Sequence, residues 1–269
     1  MRVYISVDME GVAGVVNWKQ TQHGGEDYER FRKLMTKEAN AVVRGAMDAG
    51  ADEVVVNDSH GSMRNLVIEE LDSRAELITG GAKPMSMGEG LDESFDAVFL
   101  VGYHSMAGTP GVLNHTYTGS ILEFTINEKP MGETGMVAAL AGHFSVPVVF
   151  LSGDNCTTSE AEDIIPGIHT VCVKEYSSRY AARSFHPERA RELIYEGAAE
   201  AILTGTAEPL IVESPVVLAV KFNSTALADG SYLLPGSERI GPLTVQYTAP
   251  DYHEAYRAAR ALISLGFSS

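Results

Sequence analysis

The chain has 269 residues, enough for one large domain or two modest ones. Acidic residues outnumber basic ones by 36 to 20, and the resulting formal net charge of −16 opposes extended contact with nucleic-acid phosphates or anionic lipid. The first residues contain no long apolar run behind a basic start, and Cys156 and Cys172 lack a C-x-x-C spacing. We therefore expect a cytoplasmic protein with reduced thiols and with neither nucleic-acid nor membrane partners.

Short apolar runs alternate with helical patterns along most of the chain, which predicts an α/β fold with a largely parallel sheet flanked by helices. Strands are predicted at residues 3–7, 53–57, 97–101, 147–151 and 170–174. Apolar residues spaced on one helix face predict a helix over residues 28–49, with Gly50 suited to its C-cap. Further helices are predicted at residues 132–143 and 186–205, and a strand that ends at Ile126.

The segment T-G-T-A-E-P-L mixes turn formers and proline in the manner of a connector. We place a domain boundary there, between an α/β catalytic domain at residues 1–207 and a smaller C-terminal α+β domain at residues 208–269. The second domain is predicted to contain strands at residues 216–222 and 243–248 and a helix at residues 251–265.

Polar side chains follow four of the predicted strands at the points where the strands end. The carboxyl ends of parallel strands open a crevice at one edge of a sheet, so these side chains are expected to lie close together. Any one of them could be a solvated loop residue, but the chain has only eight histidines and three of them fall here. The residues are Asp8 and Glu10 after the first strand, Asp58 and His60 after the second, His104 and His115 after the third, and Asp154 after the fourth.

This set of side chains indicates a divalent metal site. Asp8 and Glu10 lie two residues apart, so they share one face of an extended chain and repel each other unless a cation lies between them. A lone D-x-E-G could equally be a polar turn that ends at Gly11. Carboxylates together with imidazoles, however, are the ligands of zinc and similar ions, and carboxylate oxygens can bridge two metals.

Four separated motifs, S-V-D-M-E-G, N-D-S-H-G, G-Y-H-S-M-A-G-T-P-G-V-L-N-H and G-E-T-G, resemble in order and spacing those of the zinc-dependent D-aminopeptidase family. The resemblance extends from residue 2 to about residue 258. It implies a centre of two Zn²⁺ ions per chain and a ring-shaped homo-oligomer, a decamer in that family. The implied metal ligands are Asp8, Glu10, His60, His104 and Glu133, with His115 as the catalytic histidine outside the ligand set.

The expected activity is removal of the N-terminal residue from short peptides or aminoacyl amides, and a preference for small D-residues rests on the resemblance alone. We select Asp8 as the bridging carboxylate. Glu133 could also be an ordinary acidic residue in the first turn of a helix. His115 could stabilise the oxyanion, carry a proton to the leaving amine or act as the nucleophile. Metal-bound imidazoles usually donate their second N–H, and we expect Asp58 or Asp154 to accept one.

Two other functions stay open at this point. The same metals would serve another binuclear hydrolase, such as an amidohydrolase or a phosphoesterase, although the motifs are poor in arginine and lysine. The second alternative function is that of a doubly wound binding protein, which would hold Mg²⁺ or a ligand at an acidic edge of the sheet. Histidine ligands disfavour Mg²⁺. The chain lacks H-E-x-x-H, G-x-S-x-G and G-x-x-x-x-G-K-[ST], so single-zinc protease, serine hydrolase and P-loop chemistry have no support.

Overall fold

The computed structural model describes residues 1–268, which form two sheets with helices around them. The strands of the larger sheet are β1 Arg2–Val7, β2 Glu53–Asp58, β3 Ala75–Ile78, β4 Ala97–Tyr103, β7 Val148–Asp154, β8 His169–Ser178 and β9 Ala181–Ser184. Their order is β3-β2-β1-β4-β7-β8-β9, and every neighbouring pair is parallel except β8 with β9. The predicted α/β class is confirmed.

The smaller sheet is antiparallel throughout. Its strands are β5 Ile121–Ile126, β6 Lys129–Pro130, β10 Val216–Phe222, β11 Ser237–Arg239 and β12 Thr244–Ala249, in the order β11-β12-β10-β5-β6. The sheet therefore combines two strands that precede residue 207 with three that follow it. Leu218 of β10 pairs with Ile126 of β5, so the C-terminal portion is joined to the loop region of the larger sheet by main-chain hydrogen bonds.

Within residues 1–268 the α-helices are α1 Trp18–Thr21, α2 Tyr28–Asp48, α3 Glu133–His143, α4 Asn155–Ile164, α5 Pro187–Thr204, α6 Thr225–Ser231 and α7 Tyr252–Gly266. Short 3₁₀ turns lie at Ile68–Glu70 and Ser86–Gly88. The four long helices predicted from periodicity are confirmed, whereas α4 and the short strands β3, β6, β9 and β11 were not predicted. No helix in the described part of the chain is long and apolar enough to span a bilayer.

The central strands of the larger sheet are covered on both faces. All residues of β4 and β7 are buried, and so are five of the six residues of β1, which explains their nearly continuous apolar sequences. On one face α2 packs closely on α5, where a Cβ at Gly45 would lie 2.4 Å from the Tyr195 carbonyl oxygen. Helices α3 and α7 also pack together, with the Tyr252 hydroxyl donating to the Met136 carbonyl. This rigid frame carries the strand ends described next.

Candidate metal centre

The first motif is held against the end of β4 by a tight approach of two main chains. The Gly11 N–H donates to the Gly102 carbonyl at 2.7 Å, and a Cβ at Gly11 would lie 2.0 Å from the Tyr103 carbonyl oxygen. Only glycine fits at this position. The turn leaves Asp8 and Glu10 almost fully buried, with 3% and 1% of their surfaces exposed.

His60 is positioned by a loop that folds around the carboxylate of Asp58. That carboxylate accepts the main-chain N–H groups of Asn65 and Leu66 at 2.5 and 2.7 Å, and the Asn65 side chain donates to the His60 carbonyl. His60 Nε2 lies 2.8 Å from the Thr21 carbonyl oxygen, which can only accept, so this nitrogen carries a proton. The other nitrogen, Nδ1, is thereby aimed into the site.

Nδ1 of His60 meets both carboxylates of the first motif. It lies 3.0 Å from Asp8 Oδ1 and 2.9 Å from Glu10 Oε2. These three side chains form one half of the candidate centre.

His104 and Glu133 form the other half with the second oxygen of Asp8. His104 Nε2 lies 3.3 Å from Asp8 Oδ2 and 3.4 Å from Glu133 Oε1. The other imidazole nitrogen, Nδ1, donates to the Ser105 carbonyl at 3.0 Å, which fixes the ring. Glu133 is the first residue of α3, where the helix dipole favours a carboxylate, and its Oε1 accepts the Tyr117 N–H at 2.6 Å.

Three buried polar atoms in this arrangement, Asp8 Oδ2, Glu10 Oε2 and His104 Nε2, form no well-directed hydrogen bond among residues 1–268. Glu10 Oε2 nevertheless lies 2.9 Å from His60 Nδ1, and Asp8 Oδ2 lies 3.3 Å from His104 Nε2. Buried polar atoms without partners are uncommon, and each requires a cause such as an ion. All three are atoms that would bind a metal, and one ligand atom from each of Asp8, Glu10 and His104 lies within 4.8 Å of the others. The donor set of carboxylate oxygens and imidazole nitrogens fits zinc.

The electrostatics point in the same direction. Burial and the charge of Glu10 raise the pKa of Asp8 to about 7. Burial alone would lower the pKa of His104, but the carboxylates of Glu133 and Asp8 outweigh burial and raise it to about 10. The pKa of His60 is also raised, by Glu10 and Asp8, against the effect of burial. Protons on the imidazoles thus balance the negative charge of the buried carboxylates. Bound divalent cations would balance the same charge.

His115 lies beside the second half of the centre. Its Nδ1 donates to the Leu113 carbonyl at 2.9 Å, and its Nε2 lies 3.9 Å from Glu133 Oε1. The ring stacks on His104 with centroids 4.0 Å apart. Burial and the neighbouring His104 lower the pKa of His115 to about 4. Because ligand atoms of His104, His115 and Glu133 all lie within 4.8 Å of one another, its place outside the ligand set stays a prediction.

The expectation that Asp58 or Asp154 accepts a proton from a site imidazole is wrong. His60 and His104 donate to the main-chain carbonyls of Thr21 and Ser105 instead. Both carboxylates are buried under loops, and main-chain N–H groups of these loops donate to their oxygens. The Asp58 carboxylate holds the His60 loop.

The Asp154 carboxylate acts in the same way on the loop between His104 and His115. It accepts the Val112 N–H at 2.6 Å and, as the N-cap of α4, the Thr157 N–H at 2.8 Å. Asp154 therefore shapes the loop that carries two site histidines without touching either ring.

Two buried lysines that were not predicted also hold the site loops. Nζ of Lys174 donates to the carbonyls of Glu10, Val12 and Val15 at 2.5, 3.1 and 2.8 Å. Lys83 donates to the Asn57 side chain and to the carbonyls of Asp58 and Ile78, the last residues of β2 and β3. A lysine at the end of the apolar run V-C-V-K could have drawn attention to Lys174, whereas nothing in the sequence marks Lys83.

Two cavities adjoin the centre. The outer cavity has a volume of about 570 Å³ and opens toward Trp18 and Arg179, with Glu10 at its base. The inner cavity, of about 190 Å³, lies against Asp8 and Glu133. His60, Gly61, His115 and Tyr117 line both cavities, so the candidate centre stands between them.

Comparison with known proteins agrees with this arrangement over the whole chain. Residues 1–261 match the model of the D-aminopeptidase family, peptidase family M55. The chain is 40% identical to the D-aminopeptidase of Bacillus subtilis (strain 168) over 267 residues, which cover 98% of this chain and 97% of that protein. It also superposes, with a TM-score of 0.98 and 39% identity over 100% of this chain and 99% of the other, on a solved structure described as the Zn-dependent D-aminopeptidase DppA from Bacillus subtilis, a self-compartmentalizing protease. The chain therefore belongs to the D-aminopeptidase family.

Proposed function

We propose that this chain is a binuclear zinc aminopeptidase that removes a small, D-configured N-terminal residue from short peptides or aminoacyl amides. The observation that carries the proposal is the position of Asp8, whose Oδ1 faces His60 while its Oδ2 faces His104. A carboxylate shared in this way can hold two ions at once. The proposed ligands are Asp8, Glu10, His60, His104 and Glu133.

Bound zinc would supply Lewis acidity, which polarises a carbonyl and lowers the pKa of water. The chain itself supplies the proton acceptor. Because Nδ1 of His115 is held by the Leu113 carbonyl, Nε2 faces the centre with a free lone pair and can take a proton and later deliver it to the leaving amine. The stacked ring of His104 and the edge of Trp18, with its ring centroid 5.3 Å away, keep the His115 imidazole in this orientation.

The outer cavity supports the substrate part of the proposal. Its volume of about 570 Å³ falls in the range of pockets that hold small organic ligands, so it can accommodate a short peptide. Glu10 at its base and the neighbouring centre offer negative charge and metal coordination to a free α-amino group. The preference for D-residues is supported by the family and by the names of both relatives, which are described as D-aminopeptidases.

We also propose that the chain forms a ring-shaped homo-oligomer, a decamer, in the cytoplasm. The relative whose structure has been solved is described as a self-compartmentalizing protease, a description that implies several copies around an enclosed space. Large apolar side chains that are more than half exposed are groups that contacts between copies would cover. They include Leu203, Ile211, Leu233 and Ile240. The division into domains at residues 207 and 208 belongs to this proposal as well.

The test is metal analysis followed by a substrate panel. The protein, purified with zinc supplied, should hold about two metal ions per chain. It should then hydrolyse D-aminoacyl amides and short D-peptides faster than their L-counterparts. Fewer than one ion per chain would rule out the binuclear centre. Hydrolysis of phosphoesters or cyclic amides without aminopeptidase activity would favour another binuclear hydrolase, and metal binding without turnover of any substrate would favour a binding protein.

A further inference from the structure

The inner cavity is lined by two unlike sets of side chains. Its lining includes the proposed ligands Asp8 and Glu133 and also the potential hydrogen-bond donors Ser86, Tyr117 and Arg260. Arg260 comes from α7, far along the chain from every motif. At about 190 Å³ the space lies below the usual range for drug-sized ligands, so it admits only a small group.

The Arg260 guanidinium has unused hydrogen-bonding capacity. Its Nη2 donates to the Lys83 carbonyl at 3.1 Å, and Nη1 makes a long contact of 3.4 Å with the Ser86 hydroxyl. Its Nε is buried without a hydrogen-bond partner, and the guanidinium forms no ion pair with any carboxylate of residues 1–268. Arginine can only donate, so its buried free N–H requires an acceptor from elsewhere.

Two phenol hydroxyls adjoin this arginine. The Arg260 guanidinium lies 6.0 Å from the centroid of the Tyr117 ring, and the hydroxyls of Tyr117 and Tyr256 are neighbours. Both hydroxyl oxygens are buried and contact each other, and Tyr117 lines the cavity whereas Tyr256 does not. We call Arg260, Tyr117 and Tyr256 the donor cluster.

The backbone around the cavity is strained. Met63, Ser86 and Tyr117 all line the cavity and have positive φ angles of 56°, 47° and 63°. Such conformations cost about 1–3 kcal/mol each in a residue with a side chain, and they persist mainly where a ligand or a reaction requires them. This observation is independent of the donors and also marks the cavity as a binding site.

We propose that the donor cluster binds a carboxylate group of the substrate that is seated at the metal centre; this inference rests on the proposed function. A carboxylate has two oxygens and several lone pairs, can accept two N–H groups from one guanidinium and matches its charge. The carboxylate can be the side chain of an acidic N-terminal residue or the C-terminal group of a dipeptide. Arg260 is thus a specificity-determining residue for acidic small substrates.

The experiment uses the zinc-loaded enzyme and two matched substrate pairs. The first pair is D-aspartyl amide and D-asparaginyl amide, and the second is a D-alanyl dipeptide with a free C-terminal carboxylate and the same dipeptide amidated. We expect the carboxylate member of one pair to have a KM about tenfold or more below that of its amide. A difference of this size corresponds to one charge-assisted hydrogen bond. The pair that shows the difference identifies the source of the carboxylate.

The variants separate recognition from structure. In Arg260→Met the KM of the amide divided by the KM of its carboxylate partner should fall to about 1. Arg257→Met, which removes an exposed arginine of the same helix, should leave this ratio unchanged. If Arg260→Met does not fold, Tyr117→Phe removes only a hydroxyl from the cavity lining and should reduce the ratio. Equal KM values within both pairs in the wild type, or an equal rise of all four KM values in Arg260→Met, would overturn the proposal.

A binding measurement covers the case in which no substrate is hydrolysed, an outcome that would reject the proposed function itself. Acetate and succinate are titrated calorimetrically into the zinc-loaded wild type and into Arg260→Met or Tyr117→Phe. Binding that weakens severalfold in the variant supports the carboxylate site. Binding of equal strength in wild type and variant means that the metals alone hold the anion, and the proposal is then wrong.

Discussion

Replacement of Lys174 with methionine should destabilise the protein and also weaken metal binding at the half of the centre that contains Glu10. Lys174 is fully buried in β8, and its ammonium donates to the carbonyls of Glu10, Val12 and Val15. Methionine has a similar shape but no donor. The variant therefore leaves the buried carbonyls of Glu10 and Val15 unpaired, whereas the Val12 carbonyl keeps the Val15 N–H as its partner.

The size of the effect follows from two opposing contributions. A buried carbonyl that loses its donor costs about 1–3 kcal/mol, or about 2–6 kcal/mol for the two groups together. Methionine also removes the cost of burying a charge. Burial lowers the pKa of Lys174 from 10.5 to about 8, which corresponds to about 3 kcal/mol. This relief offsets part of the lost hydrogen bonding, and we expect a net loss of up to about 3 kcal/mol.

The assay is urea unfolding of the metal-free protein, followed by zinc titration at pH 7. Lys221→Met is the matched control, because Lys221 is an exposed lysine on β10 and should change the free energy of unfolding by less than about 0.5 kcal/mol. Lys174→Met should bind one of the two zinc ions at least tenfold more weakly. A variant as stable as wild type, with unchanged zinc affinity, would refute the role given to this lysine.

The same lysine predicts a pH dependence. Because its pKa is lower in the folded state than in the unfolded state, the unfolded chain binds more protons between about pH 8 and pH 10.5. The contribution of Lys174 therefore makes the free energy of unfolding rise with pH across this window. Lys174→Met should lack that contribution, and the difference between the two unfolding curves measured from pH 7.5 to pH 10 shows it. A constant difference would mean that the pKa of Lys174 is not lowered.

Three further changes test the centre itself. Asp8→Ala should lose both metals and Glu10→Ala only one by metal analysis, because only Asp8 faces both halves; equal losses would argue against Asp8 as the bridge. His115→Ala should keep its zinc while kcat falls about 10²–10⁴-fold, whereas loss of a metal would make His115 a ligand. Gly11→Ala should unfold at lower temperature, since its Cβ would lie 2.0 Å from the Tyr103 carbonyl oxygen; an unchanged Tm would show that the turn can relax.

The edge of the sheet that carries the site is predictable from the sequence because its strands are buried on both faces. Strands β1, β2, β4 and β7 appear as short apolar runs, and a parallel arrangement requires their carboxyl ends to meet. Asp8, His60 and His104 could be found in this way. Glu133 could not, since an acidic residue at the start of a helix is ordinary, and only the resemblance to a known family identified it.

The features that were missed depend on contacts between distant parts of the chain. The edge strands β3, β9 and β11 are short and partly exposed, so their sequences carry little apolar signal. Asp58 and Asp154 were assigned to the imidazoles, but the loops above them offered main-chain N–H groups at shorter range. The partners of Lys174 are carbonyls more than 150 residues away, and no local pattern encodes such a contact.

The arrangement of positive charge explains why this edge of the sheet can receive metal ions at all. Lys83 and Lys174 are buried nearby, but both donate to carbonyl and amide oxygens and neither forms an ion pair with Asp8, Glu10 or Glu133. Within residues 1–268 the only cationic partners of these three carboxylates are histidines. An imidazole nitrogen binds either a proton or a metal ion, so an arriving divalent ion can take the place of the proton even though the neighbouring carboxylates raise the pKa of His104. A lysine paired with Asp8 would have neutralised the site permanently, whereas a proton on histidine holds the carboxylates together only until a metal replaces it.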